Sequence, residues 1–148
     1  MSAITSDPVF QTYAGCSAAL VVILYGLGFW TAKTRAARKQ VVNSEDVGVN
    51  PGAVAAEVEH LDVQRVKRAH LNALENSVPF FVIGFLYTQT APSLKVASAL
   101  FFTFLAVRLF HALFYLNAKQ PFRTGSFAVG ALVNLAMVVQ VLRAVLAG

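Results

Sequence analysis

Apolar positions dominate this chain, and the polar positions that interrupt them follow a helical spacing. Pro8–Ala32, Asn76–Leu94 and Thr124–Leu142 contain no charged residue. Each approaches the roughly 20 residues that a helix needs to cross a hydrocarbon core. A fourth apolar run, Val96–Val107, is broken by Arg108 and resumes as far as Ala118. The pattern predicts an all-α integral membrane protein. Its single domain, residues 1–148, would be a bundle of four transmembrane helices at about 10–40, 63–89, 92–117 and 121–146. The long polar segment Asn43–Leu61 links the first two helices, and Thr90–Ser93 and Lys119–Pro121 read as tight turns. Asp62 is placed to cap the second helix, and Pro92 and Pro121 suit first helical turns. Pro79 falls inside the second helix and has no N–H, so the Glu75 carbonyl loses its intrahelical donor.

Composition agrees: the chain is 57% hydrophobic and only 13% charged, a membrane profile. A net charge of +5 would in another protein suggest nucleic acid. Here seven of the twelve Lys and Arg residues lie between Lys33 and Arg68, flanking apolar runs. That is the positive-inside pattern, so no nucleic-acid partner is expected. It puts the loop after the first helix on the cytoplasmic side and both termini opposite. The sole cysteine, Cys16, excludes an intrachain disulfide framework. No basic region precedes Ala14-Gly15-Cys16, so neither a lipoprotein signal nor a cleavable leader is expected. No metal-ligand spacing stands out.

The chemistry lies in the interruptions. Arg65, Arg68, Asn72 and Glu75 share one face of the second helix, and Arg108, His111 and Tyr115 share one face of the third. Arg123 and Thr124 open the fourth, where a cation opposes the helix dipole unless an anion joins it. The plainer reading is that basic residues at helix ends snorkel to the headgroups. It suits Arg38, Lys39, Arg65 and Lys67, but not Glu75, which is too short to snorkel far. Alternating topology brings all these groups, with Arg35, to the cytoplasmic end. Five arginines then stand against Glu75, which suits a polyanionic water-soluble ligand meeting an apolar partner from the lipid. A transporter or proton relay on Glu75, His111 and Arg108 would need polar groups through the full membrane depth, and the outer half lacks them.

These residues also carry a resemblance. Val66–Tyr87, VKRAHLNALENSVPFFVIGFLY, resembles the family of membrane-associated proteins in eicosanoid and glutathione metabolism, most specifically in Arg-Ala-His-x-Asn-x-x-Glu. Arg108-x-x-His111-x-x-x-Tyr115, Arg123-x-x-Ser126-Phe127 and Asn43-Ser44-Glu45-Asp46 match at similar distances. The resemblance implies a homotrimer with glutathione as co-substrate, bound between neighbouring subunits. It implies that Arg35, Arg68, Asn72, Glu75, His111, Tyr115 and Arg123 hold glutathione and that Arg123 favours its thiolate. Asp46 and Thr124 would assist, with His70 and Arg108 as supports. Leu71 and Phe127 stand where the prostaglandin-forming branch has arginine and tyrosine. This favours the branch that conjugates glutathione to a lipophilic electrophile, or reduces a lipid hydroperoxide, over the isomerase. Some relatives are non-catalytic lipid-binding scaffolds, and that alternative stays open. The bilayer would be endoplasmic-reticulum-type in a eukaryote or the inner membrane in a bacterium, with the site facing the cytoplasm.

Overall fold

The computed structural model describes residues 3–147. A short helix α1 (Ala3–Ser6) leads into α2 (Pro8–Ala37), followed by α3 (Leu61–Thr88), α4 (Leu94–Leu116) and α5 (Gln120–Ala147). Local chemistry explains these bounds. The Asp7 side chain accepts from the Val9 N–H at 3.1 Å, and Pro8 takes the first helical position of α2. Ser93 Oγ accepts from the Val96 N–H at 3.4 Å to start α4, so Pro92 lies just before the cap. The second long helix differs from the sequence expectation. His60 is its cap, with Nδ1 accepting from the Asp62 N–H at 3.2 Å. Asp62 is the second residue of the helix and pairs with Arg38 instead, complementing the positive end of the α3 dipole.

Residues 38–60 form a small cap over this end. Strands β1 (Gln40–Val41) and β2 (Val54–Ala55) pair in parallel, with Gln40 opposite Val54 and Val41 opposite Ala55. A 3-10 turn at Ser44–Val49 lies between them. The His60 N–H donates to Gln40 Oε1 at 2.9 Å and ties the end of the cap to its beginning.

Helices α2 and α5 occupy opposite corners of the bundle with no close approach of their described backbones; α3 and α4 each come close to both of them. Lipid is as apolar as leucine, so contacts between such helices rest on close packing. At the end away from the cap, the Phe80 and Phe104 rings stack with centroids 4.3 Å apart, and Phe101 meets Phe80 edge-on at 5.9 Å. All three are fully buried. Tyr13 crosses to α3 and donates from its hydroxyl to the Phe81 carbonyl at 2.7 Å. Its ring would lie 2.9 Å from a Cβ at Gly84, so a side chain there would displace it. Near the cap the core narrows to Leu27 of α2 packed with Ala69, Ala73 and Ala112, whose small side chains let α3 and α4 come close.

Among the described residues, α2, α4 and α5 are long and apolar enough to cross a membrane. Helix α3 is as long as α5, but Arg65, Lys67, Arg68 and Glu75 crowd its first half. It falls outside that class for composition rather than length.

Candidate functional site

The C-terminal end of α2 and the N-terminal end of α3 enclose a recess of about 630 Å3. Its rim carries Arg35, Glu59, Gln64, Lys67 and Arg68, and Gly28, Leu71 and Leu74 give it an apolar side. Glu59 organises the rim. Its Oε1 accepts from Arg35 Nε at 2.7 Å and lies 2.5 Å from Arg35 Nη2, and its Oε2 accepts from Lys67 Nζ at 2.5 Å. Burial works to raise the Glu59 pKa. The hydrogen bonds and charges of Lys67 and Arg35 together outweigh it, so the carboxyl is held below its ordinary value. Arg68 has no carboxylate partner among the described residues; its Nη1 donates to Gln64 Oε1 at 3.2 Å. Three cations against one carboxylate beside an apolar wall can receive an anion that has an apolar portion.

A second group lies where α4 ends and α5 begins. The Arg123 guanidinium stacks 4.5 Å above the Tyr115 ring, a cation–π contact. His111 is buried, and its Nδ1 is 3.0 Å from the Arg123 carbonyl oxygen and 3.3 Å from Ser126 Oγ. With its hydrogen on Nδ1, the imidazole donates to that carbonyl and fixes the start of α5. Arg108 is also buried, between the rings of Phe104 at 5.7 Å and Phe127 at 5.9 Å. Its Nη2 donates to the Ser126 carbonyl at 3.3 Å. A Cβ at Gly130 would lie 3.0 Å from Nη2, 3.2 Å from Nε and 3.3 Å from Cζ. A side chain at this position would press on the guanidinium, which lies close against α5.

The structure thus distributes the sequence-predicted residues over two groups at one end of the bundle. Arg35, Arg68 and His70 line the first recess. Asp46 borders a neighbouring one of about 590 Å3 beneath the cap, which Arg35 also lines. Asn72, half-buried, accepts from Asn76 Nδ2 at its carbonyl, 2.8 Å away. Glu75 is exposed on α3 with no hydrogen-bond or ion-pair partner among the described residues. Arg108, His111, Tyr115 and Arg123 form the second group, and Thr124 is exposed beside it. The two groups stay apart because Arg35 stands on α2 and Arg123 on α5, at opposite corners of the bundle. One further expectation changes. The Arg123 N–H donates to the Lys119 carbonyl at 3.0 Å, and Pro121 has no N–H, so the first turn of α5 offers an anion fewer donors than its sequence suggests. Sequence reasoning missed Glu59, whose partner Arg35 is 24 residues away across the cap. Glu59 is one of five acids, with Glu45, Asp46, Glu57 and Asp62, in a stretch between Lys39 and Arg65 that holds no Lys or Arg, so nothing along the chain singled it out.

Comparison with known proteins decides what kind of bundle this is. The profile of the MAPEG family matches residues 13–143. The chain belongs to the MAPEG family. Among similar MAPEG proteins, microsomal glutathione S-transferase 1 of Homo sapiens is 35% identical over 147 residues, 97% of this chain and 95% of its own length. The Mus musculus protein of the same name is 42% identical over 117 residues, 76% of each chain. Prostaglandin E synthase of Homo sapiens is 31% identical over 142 residues, 95% of this chain and 93% of its own. Together with three membrane-length apolar helices, MAPEG membership makes this an integral membrane protein.

Proposed function

We propose that this MAPEG protein is a glutathione transferase that conjugates the glutathione thiolate to apolar electrophiles drawn from the bilayer. The observation that carries the reading is the recess between α2 and α3, with three cations against one carboxylate beside an apolar wall. Glutathione has two carboxylates, an amino group and a thiol. Arginine forks on Arg35 and Arg68 match the carboxylates, and Glu75, free of partners among the described residues, matches the amino group.

The assembly is a homotrimer of four-span subunits, with α3 as the fourth span. Arg68, Leu71, Glu75, Val78 and Val82 leave one face of α3 exposed at helical spacing. A neighbouring subunit covering that face would bring its Arg123, Tyr115 and His111 towards Arg35, Arg68, Asn72 and Glu75. Asp46 and Thr124 assist at the margins, with His70 and Arg108 as supports. A free thiol titrates near ~8.5 and attacks as thiolate. A guanidinium beside the sulfur favours the charged form, and each unit of lowering corresponds to about 1.4 kcal/mol. Arg123 fills that role, held over Tyr115 with no carboxylate partner among the described residues. The active site faces the cytoplasm.

The test is conjugation of glutathione to chlorodinitrobenzene by purified protein, with native mass spectrometry of the same sample. Turnover by a trimer supports the proposal; glutathione binding without turnover points to a scaffold; an active monomer overturns the shared site. Prostaglandin E synthase is among the relatives, so endoperoxide isomerisation and lipid-hydroperoxide reduction are measured beside it. Leu71 and Phe127 lack the polar groups of the isomerase pattern, so conjugation should exceed isomerisation, and the reverse order would overturn that assignment.

A further inference from the structure

We propose that Glu59 is a built-in competitor for Arg35, which a ligand carboxylate must displace to engage that arginine. The inference rests on the glutathione reading above, which counts Glu59 as the one carboxylate of the recess and gives it no role. Arg35 Nε and Nη2 form the two-donor edge that takes a carboxylate in parallel. Both are already directed at Glu59 Oε1, at 2.7 and 2.5 Å. The other carboxylate oxygen is held independently by Lys67 Nζ at 2.5 Å. Glu59 can therefore release Arg35 without losing its second cation.

The surroundings favour such an exchange. The Glu59 backbone is fixed, because its carbonyl accepts from Gln64 Nε2 at 2.8 Å. Displacement therefore needs a side-chain rotation and no unfolding of the cap. Glu59 itself lines the recess, together with Arg35 and Arg68. Its side chain is 12% exposed, whereas Arg35 is 34% and Lys67 48% exposed. Among the described residues, the one side-chain partner of Arg68 is the neutral Gln64. An arriving dianion thus meets one arginine already free of acids and one that is occupied. Arg68 takes a carboxylate first, and Arg35 takes the other only in exchange for Glu59. An anion with a single carboxylate can stop at Arg68. Glu59 thereby weakens binding overall and gives a ligand with two carboxylates its advantage.

Calorimetric titration of glutathione and its diethyl ester into wild-type and Glu59→Gln protein tests this. An ion pair of this exposure is worth a few-fold in affinity, so Glu59→Gln should bind glutathione about three- to fivefold tighter. The diester, which has no carboxylate to exchange, should bind both proteins alike. Glu59→Ala repeats the measurement without an amide that could itself hold Arg35. If Glu59 merely props Arg35 and Lys67 in place, both variants would bind glutathione more weakly. That result, unchanged affinity, or an equal gain for the diester overturns the proposal while leaving the glutathione reading intact. Failure of wild type and both variants to bind glutathione overturns the functional reading, and this inference with it.

Discussion

Gly130→Ala puts the packing of Arg108 to a direct test. The new methyl would lie 3.0 to 3.3 Å from three atoms of the guanidinium. A long side chain would usually swing away, but this one is enclosed by Phe104 and Phe127 and tied to the Ser126 carbonyl. Overpacking of this kind costs about 1–3 kcal/mol. Against that, alanine in a helix gains up to roughly 1 kcal/mol over glycine. Gly125, on the same helix, provides the correction, because a Cβ there meets nothing within 4 Å. The propensity gain is common to both sites and cancels in the comparison. Gly130→Ala should therefore be less stable than Gly125→Ala by about 1–3 kcal/mol. Denaturation by sodium dodecyl sulfate in mixed micelles, followed by circular dichroism, measures the difference. Because Ser126 and His111 adjoin the displaced guanidinium, Gly130→Ala should also lose turnover. Equal stability of the two variants would refute the clamp and leave Arg108 free to turn elsewhere.

Arg123→Ala should lower turnover strongly and glutathione affinity modestly, and Arg123→Lys should recover only part, since an ammonium lacks the planar fork. Thiolate absorbance titrated against pH in the glutathione complex reads this directly; wild-type thiolate formation by Arg123→Ala would reduce Arg123 to an interfacial anchor. Glu59 has a folded pKa below its ordinary value of 4.5, so its ion pairs contribute stability above that value and lose it as pH falls through the folded pKa. Acid titration of cap stability should show this loss in wild type and a flatter profile in Glu59→Gln; identical profiles would mean that the pairs contribute nothing. In a Cys16→Ala background, cysteines introduced at Ser6 and Gly52 should label from opposite sides of the membrane, and labelling from one side would overturn the proposed topology.

Much of the fold was legible because lipid imposes a simple rule: charge-free runs of sufficient length become helices. Local chemistry then placed some ends, as Pro121 does at the start of α5. The candidate site was legible in its residue types and its level, since alternating helices bring Arg35, Arg68, His111 and Arg123 to one end. Its partition was not. Nothing along the chain says that α2 and α5 take opposite corners, which depends on how all four helices pack. Sequence spacing puts Arg108 and His111 on one face without telling whether that face meets a ligand or a neighbouring helix; here both pack against α5. The cap posed a different difficulty. The Arg35–Glu59 pair depends on the two-residue strands at Gln40 and Val54, too short for any periodicity to announce.

The opposite corners held by α2 and α5 have a genetic consequence. On the proposed assembly, a subunit supplies Arg35 to one site and Arg123 to another. A lesion at Arg35 and a lesion at Arg123 then damage different halves. Two inactive alleles, each with one lesion, should restore activity to one another when co-expressed, because some adjoining subunits unite two undamaged halves. The same two lesions placed in one chain should have no such remedy.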